Sequence, residues 1–167
     1  NGFARNPLQK LFGFEFVEPL FNFIRDQHKK SPDLWNNIWR SLIDNPVAFQ
    51  VAALAGGFNI KLTQLKDIEM YCRGVSRLEL TYFFELFEQL LQFDGSSILA
   101  NISCPTLIIA GDKDILTPQS FQREMHHAIS HSELLTIPYG SHCSQLDFPE
   151  FVNLKLNEFI LKNSTAK

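Results

Sequence analysis

Positive charge is not in excess in this chain: 15 Lys and Arg stand against 18 Asp and Glu, a formal net charge of −3. No electrostatic footprint for nucleic acid or for an anionic membrane surface results, which leaves small molecules and proteins as partners. Cysteine is scarce, with Cys72, Cys104 and Cys143 forming an odd set without CxxC spacing. That excludes a disulfide framework and a cysteine zinc site. No window nears the roughly 18 consecutive apolar residues of a membrane-spanning helix. Internal repeats and low-complexity stretches are missing as well. The opening "NGFARNPL" has no initiator Met, no basic segment and no apolar core of a signal peptide. The expectation is a soluble, cytoplasmic protein entered partway along its chain.

What is present is apolar substance. The 167 residues are 45% hydrophobic and carry 16 Phe and two Trp, enough for one domain or a domain with a subdomain. The first part, residues 1–94, reads as successive helices. In "KSPDLWNNIWRSLIDN", Ser31 is placed to cap, Pro32 suits a first turn, and Leu34, Ile38 and Leu42 recur at helical spacing beside Trp35 and Trp39. Asn45-Pro46 repeats the start signal for "PVAFQVAALAGG", with Gly56 and Gly57 as its stop. Further helices are predicted from Thr63 to Cys72 and through "RLELTYFFELFEQLLQF". There Leu78, Tyr82, Leu86 and Leu90 share a face that Phe83, Phe84, Phe87 and Leu91 widen, which predicts burial on more than one side.

After the turn-rich "DGSS" the pattern changes, and residues 95–167 read as strand, helix, strand, helix. "CPTLIIAG" is apolar without alternation, as in a strand covered on both faces, and "ELLTIP" is the second strand. Thr117-Pro118 opens the first helix; Asp147, with Glu150 three residues on, marks a capping box for the last. The order implies an α/β arrangement with parallel strands, in which ligand chemistry collects beyond the carboxyl ends. "GDKDILTP" and "YGSHCSQLDFPEF" follow those ends, so a carboxylate and an imidazole are expected as neighbours. Acyl transfer needs such a pair, because a His base must be held in one tautomer by a buried carboxylate.

On these two loops the sequence resembles the C-terminal half of the α/β-hydrolase superfamily, in members with a helical cap inserted before the last two core strands. The resemblance covers nearly the whole chain. The family's Gly-x-x-Asp followed by Pro four residues on matches Gly111, Asp114 and Pro118; its His, then an acidic residue and a Pro, match His142, Asp147 and Pro149. It implies that Asp114 is the triad acid and His142 the base. The fold expected is an incomplete α/β-hydrolase fold, with residues 1–94 mainly cap and residues 95–167 the end of the core. The opening dozen or so residues are expected to leave a core strand. Because cap helices in this family roof the active site, Trp35, Trp39, Phe83, Phe84 and Phe87 are candidates to line an apolar substrate pocket, although core packing alone accounts for most aromatics.

The departure is the nucleophile. The family places a Ser in G-x-S-x-G upstream of the acid, and this sequence has none. "GVSRL", Gly74 to Leu78, follows a helical stretch and has Leu in place of the second glycine; no Cys sits in a strand-to-helix turn before Asp114. Two parallel strands alone also leave unpaired edges. The reading is therefore a piece of a serine hydrolase acting on a small ester, thioester or related carbonyl compound with an apolar acyl part, the Ser lying in an N-terminal half, and these 167 residues alone inactive. It needs neither metal nor organic cofactor. The alternative is a non-catalytic truncated relative that binds a ligand or completes its sheet with a partner chain. The plain readings of the same residues are turn carboxylates for Asp112 and Asp114 and an exposed loop histidine for His142. His127 and His131 lie four apart, without a third ligand to complete a metal set.

Overall fold

The computed structural model describes residues 17–55 and 57–164. The segment expected to leave a core strand lies outside the described residues. The chain divides into two compact units: one gathers the helices up to Ala52 and Leu65–Asp94, the other Ala53–Gln64 and the residues from Gly95 on.

The helical unit is built from α1 (Val17–Lys30), α2 (Pro32–Ile43), most of α3 (Pro46–Ala55), α4 (Leu65–Ser76) and α5 (Leu80–Gln92). Its helix starts have identifiable acceptors. Asn45 Oδ1 accepts the Ala48 N–H at 3.0 Å, capping α3, and Asn36 Oδ1 accepts the Leu80 N–H at 3.0 Å from across the bundle. Ser31 precedes α2 but its side chain makes no capping bond, contrary to the sequence expectation. Ile68 and Leu80 are almost fully buried, each contributing about 1.5–3 kcal/mol over its exposed state. Beside them Phe21, Phe83, Phe84 and Phe87 form a connected ring cluster, with Trp39 against Phe83 and His28 against Phe84. The predicted stripe of Leu78, Tyr82, Leu86 and Leu90 faces outward instead, each residue at least half exposed. The buried side of α5 is the one centred on Leu80 and Phe84, because those positions meet α1 and α2. Gly74 to Ser76 form the last turn of α4, so "GVSRL" is the end of a helix.

The second unit contains β1 (Thr106–Gly111), α6 (Gln119–Ala128), β2 (Ser132–Ile137), the short α7 (Ser144–Asp147) and α8 (Pro149–Ser164), preceded by a 3₁₀ turn at Ser96–Asn101 where the sequence read only a turn. β1 and β2 pair in parallel, from Thr106 opposite Ser132 to Gly111 opposite Ile137. A parallel pair needs a crossover, and α6 supplies it, packing on both strands. Ile108 and Ala110 are buried, whereas Leu107 and Ile109 are half-buried. No helix among the described residues is long and apolar enough to cross a membrane.

The carboxyl ends of the strands are knitted together by backbone bonds. Asp112 N–H reaches Ile137 O at 3.1 Å and Lys113 N–H reaches Gly140 O at 2.9 Å. Gly111 makes this approach possible, since a Cβ there would overlap the carbonyl oxygens of Gly140 and Ser141.

Candidate active site

Asp114 lies in the loop that follows β1, and its carboxylate is gathered by its own loop. Oδ1 accepts the N–H groups of Leu116 and Thr117, both at 2.9 Å, and Oδ2 accepts the Thr117 hydroxyl at 2.7 Å. The side chain is only 5% exposed. A carboxylate turned inward and held by three donors has a fixed direction, and Oδ2 points that direction at a fourth group, His142 Nδ1, 3.1 Å away. The same geometry makes Asp114 a turn carboxylate bonded to its own backbone and sets its Oδ2 against His142. Asp112 faces solvent near Lys113 Nζ at 3.6 Å, an exposed pair of little energetic weight.

His142 sits in the loop between β2 and α7, with its ring 41% exposed. Its Nδ1 faces Asp114 and, at 3.3 Å, the Thr117 hydroxyl oxygen. With the Nδ1 proton directed at the carboxylate, Nε2 carries a free lone pair. That is the protonation pattern of a general base with a carboxylate orienter.

Residues that no motif announces hold this loop. His142 N–H donates to Gly57 O at 3.0 Å, and Asn59 Nδ2 donates to Tyr139 O at 2.9 Å. The buried Asp147 accepts the Thr63 hydroxyl on Oδ1 at 2.5 Å and the Ser141 N–H on Oδ2 at 2.6 Å. Asp147 is thus not the capping residue predicted for the last helix. It ends α7, and its buried side chain turns to the histidine loop, because a buried polar group requires such donors. Gln122 on α6 donates from Nε2 to Thr117 O at 3.0 Å and lies 3.3 Å from Thr117 Oγ1, bracing the hydroxyl that holds Asp114. The sequence carried a signal for Gly57 only as a helix stop, and none for Asn59, Thr63, Thr117 or Gln122 as site residues.

Burial pushes the Cys143 thiol up, with the carboxylates of Asp147 and Asp114 adding to the effect, so it is a neutral thiol beside His142. Among the described residues no group of three His, Cys, Asp or Glu side chains could hold a metal ion. His126 Nδ1 lies 2.8 Å from Ser132 Oγ, while His127 and His131 face solvent. The five aromatic candidates all belong to the helical unit: Phe84 is buried in its packing, Trp39 donates its indole N–H to Val75 O at 3.1 Å, and Trp35, Trp39, Phe83 and Phe87 are half-buried.

No protein-family model matches the chain. Among curated proteins it is similar to the putative carbamate hydrolase RutD of Klebsiella pneumoniae, 40% identical over 65 residues, which are 38% of this chain and 24% of that protein. The protein of the same name from Escherichia coli is 35% identical over 63 residues, with the same shares. Among solved structures it resembles an α/β hydrolase from a Medee basin deep-sea metagenome library, with TM-score 0.52 and 19% identity, covering 90% of this chain and 52% of that one. A thermophilic esterase from Thermogutta terrifontis gives TM-score 0.53 and 18% identity, covering 91% and 52%. The chain spans about half the length of these solved structures and about a quarter of the curated relatives. The fold is that of an incomplete α/β hydrolase.

Proposed function

We propose that this α/β-hydrolase relative supplies the acid and the base of a serine-type hydrolase, with His142 as general base and Asp114 as its orienter. The observation that carries the reading is the contact of His142 Nδ1 with Oδ2 of a nearly buried Asp114, which leaves Nε2 available. The nucleophile is assigned to a serine outside these residues, since no G-x-S-x-G occurs in them. In the reaction, Nε2 accepts the serine proton as the oxygen attacks the carbonyl carbon. The imidazolium, stabilised by Asp114, returns that proton to the leaving group as the carbon–heteroatom bond breaks. Nε2 then deprotonates water, which releases the acid and restores the serine.

The substrate class proposed is a small ester, thioester or related carbonyl compound with an apolar acyl part. The names of a putative carbamate hydrolase among similar sequences and an esterase among similar folds both denote carbonyl hydrolysis, which supports the class without fixing the member. The helical unit is proposed as the cap. Trp35, Trp39, Phe83 and Phe87, half-buried, are better candidates to line the acyl pocket than Phe84, which is committed to helix packing. The reading requires no cofactor.

The test is hydrolysis of a short-chain p-nitrophenyl ester by the full-length protein. His142→Ala is expected to lower turnover about 10³-fold or more, to a small residual rate, while keeping the far-ultraviolet circular dichroism of the parent, and undiminished turnover by that variant would remove the base assignment. A full-length protein without activity on any activated ester or thioester would instead favour a non-catalytic relative that binds its ligand or completes its sheet with a partner chain.

A further inference from the structure

The segment Gly57 to Thr63 joins α3 to α4, yet its bonds go to the histidine loop. Three of them bracket His142 along the chain: Asn59 Nδ2 to Tyr139 O before it, Gly57 O from the His142 N–H itself, and Thr63 Oγ1 to Asp147 Oδ1 after it. The segment is stiffened internally. Asn59 O accepts the N–H groups of Leu62 and Thr63 at 3.0 and 2.8 Å, and Asn59 Oδ1 accepts the Lys61 N–H at 3.1 Å. Gly57 has φ +76°, and a Cβ there would lie 2.9 Å from His142 Cβ and 2.8 Å from Leu116 Cδ1. No larger residue could bring its carbonyl to the His142 N–H in this way.

The loop it grips needs holding. Tyr139 has φ 61°, a left-handed conformation unfavourable for a side chain of this size, and the residue is 67% exposed. The bond from Asn59 falls on the carbonyl of that residue.

We propose that residues 57–63 form a positioning clamp for His142, with Asn59 fixing the left-handed turn at Tyr139 and Gly57 fixing the His142 backbone. The proposal rests on His142 being the base. Asn59 touches no reacting atom; it acts through the histidine, setting where Nε2 stands relative to the nucleophile. Displacement of a base by about 1 Å can cost up to ~100-fold in rate, so a clamp of a few hydrogen bonds is kinetically consequential.

The experiment is a double-mutant cycle on the full-length protein with p-nitrophenyl acetate. Asn59→Ala is expected to lower kcat about tenfold with KM within about twofold, the pattern of an interaction needed only in the transition state. In a His142→Ala background the same substitution should change the residual rate no further, because the group it positions is gone. Asn59→Asp, which keeps the acceptor for Lys61 but loses the donor to Tyr139, should behave like Asn59→Ala. In both variants, amide hydrogen exchange at His142 should quicken about tenfold. An Asn59→Ala protein with parental kcat and parental exchange at His142, beside an inactive His142→Ala, would overturn the clamp alone. So would an equal loss in both backgrounds, the mark of a general structural role. Undiminished turnover by His142→Ala would overturn the base assignment and the clamp with it.

Discussion

At the scale of single residues, Asp114 commits both carboxylate oxygens to donors of its own loop before it meets His142. Asp114→Asn keeps the shape but offers an amide donor where an acceptor is needed, and on the proposed function it should lower kcat of the full-length protein on the order of 10⁴-fold, as loss of the orienting carboxylate does in a Ser-His-Asp site. Thr117→Val removes the hydroxyl from Oδ2 without changing side-chain size. It should lower unfolding stability by about 1.5–3 kcal/mol in urea titration, the usual cost of a hydrogen bond to a charged group, with most of it restored in Thr117→Ser. Cys143, its thiol pushed up by burial, should alkylate with iodoacetamide well after Cys104 at neutral pH, because it is less accessible and burial disfavours its thiolate. Peptide mapping over time checks the order. Asp114 and His142 were legible because each sits in a run of local tokens, Gly-x-x-Asp-x-x-x-Pro and a small-residue loop before Asp and Pro. Thr117 was not, since a Thr before Pro reads as a helix start whatever its hydroxyl does.

At the scale of elements, the strand ends and the loops beyond them carry the site. Gly111→Ala would drive a methyl into the carbonyls of Gly140 and Ser141, which cannot move without disturbing the bonds they accept from the Lys113 N–H and the Ser144 hydroxyl. A loss on the order of 3 kcal/mol is expected, read as a fall of about 6–12 °C in Tm for a chain of this size. The strands and the helix between them could be read from the apolar run of Leu107 to Ala110 and the Thr117-Pro118 start, which are local signals. Two readings failed for one physical reason, that tertiary partners outbid local ones. Asp147, three residues ahead of Glu150, has capping-box spacing, but Ser141 and Thr63 claim its carboxylate. The stripe of Leu78, Tyr82, Leu86 and Leu90 has helical spacing, but α1 and α2 meet the other side of α5. The excursion of residues 57–63 had no periodicity to betray it, since Gly56-Gly57 says only that a helix stops.

At the scale of the whole molecule, the described residues hold two strands, a carboxylate, an imidazole and a helical unit rich in stacked Phe, while the match covers only 52% of each solved hydrolase of the same fold. Composition gave no electrostatic reason to expect nucleic acid or an anionic membrane surface as a partner, and the two loop motifs pointed to one fold, which the likeness to solved structures bears out. A G-x-S-x-G serine could not be read, because these residues contain no such motif. The central claim, that His142 and Asp114 serve a serine elsewhere in the protein, is most directly tested by labelling the full-length protein with a fluorophosphonate and locating the adduct by mass spectrometry. One adduct on the serine of a G-x-S-x-G segment, formed at least a hundredfold more slowly in both His142→Ala and Asp114→Asn, is the result predicted. No adduct on the parent protein, or an adduct formed at the parental rate in both variants, would contradict it.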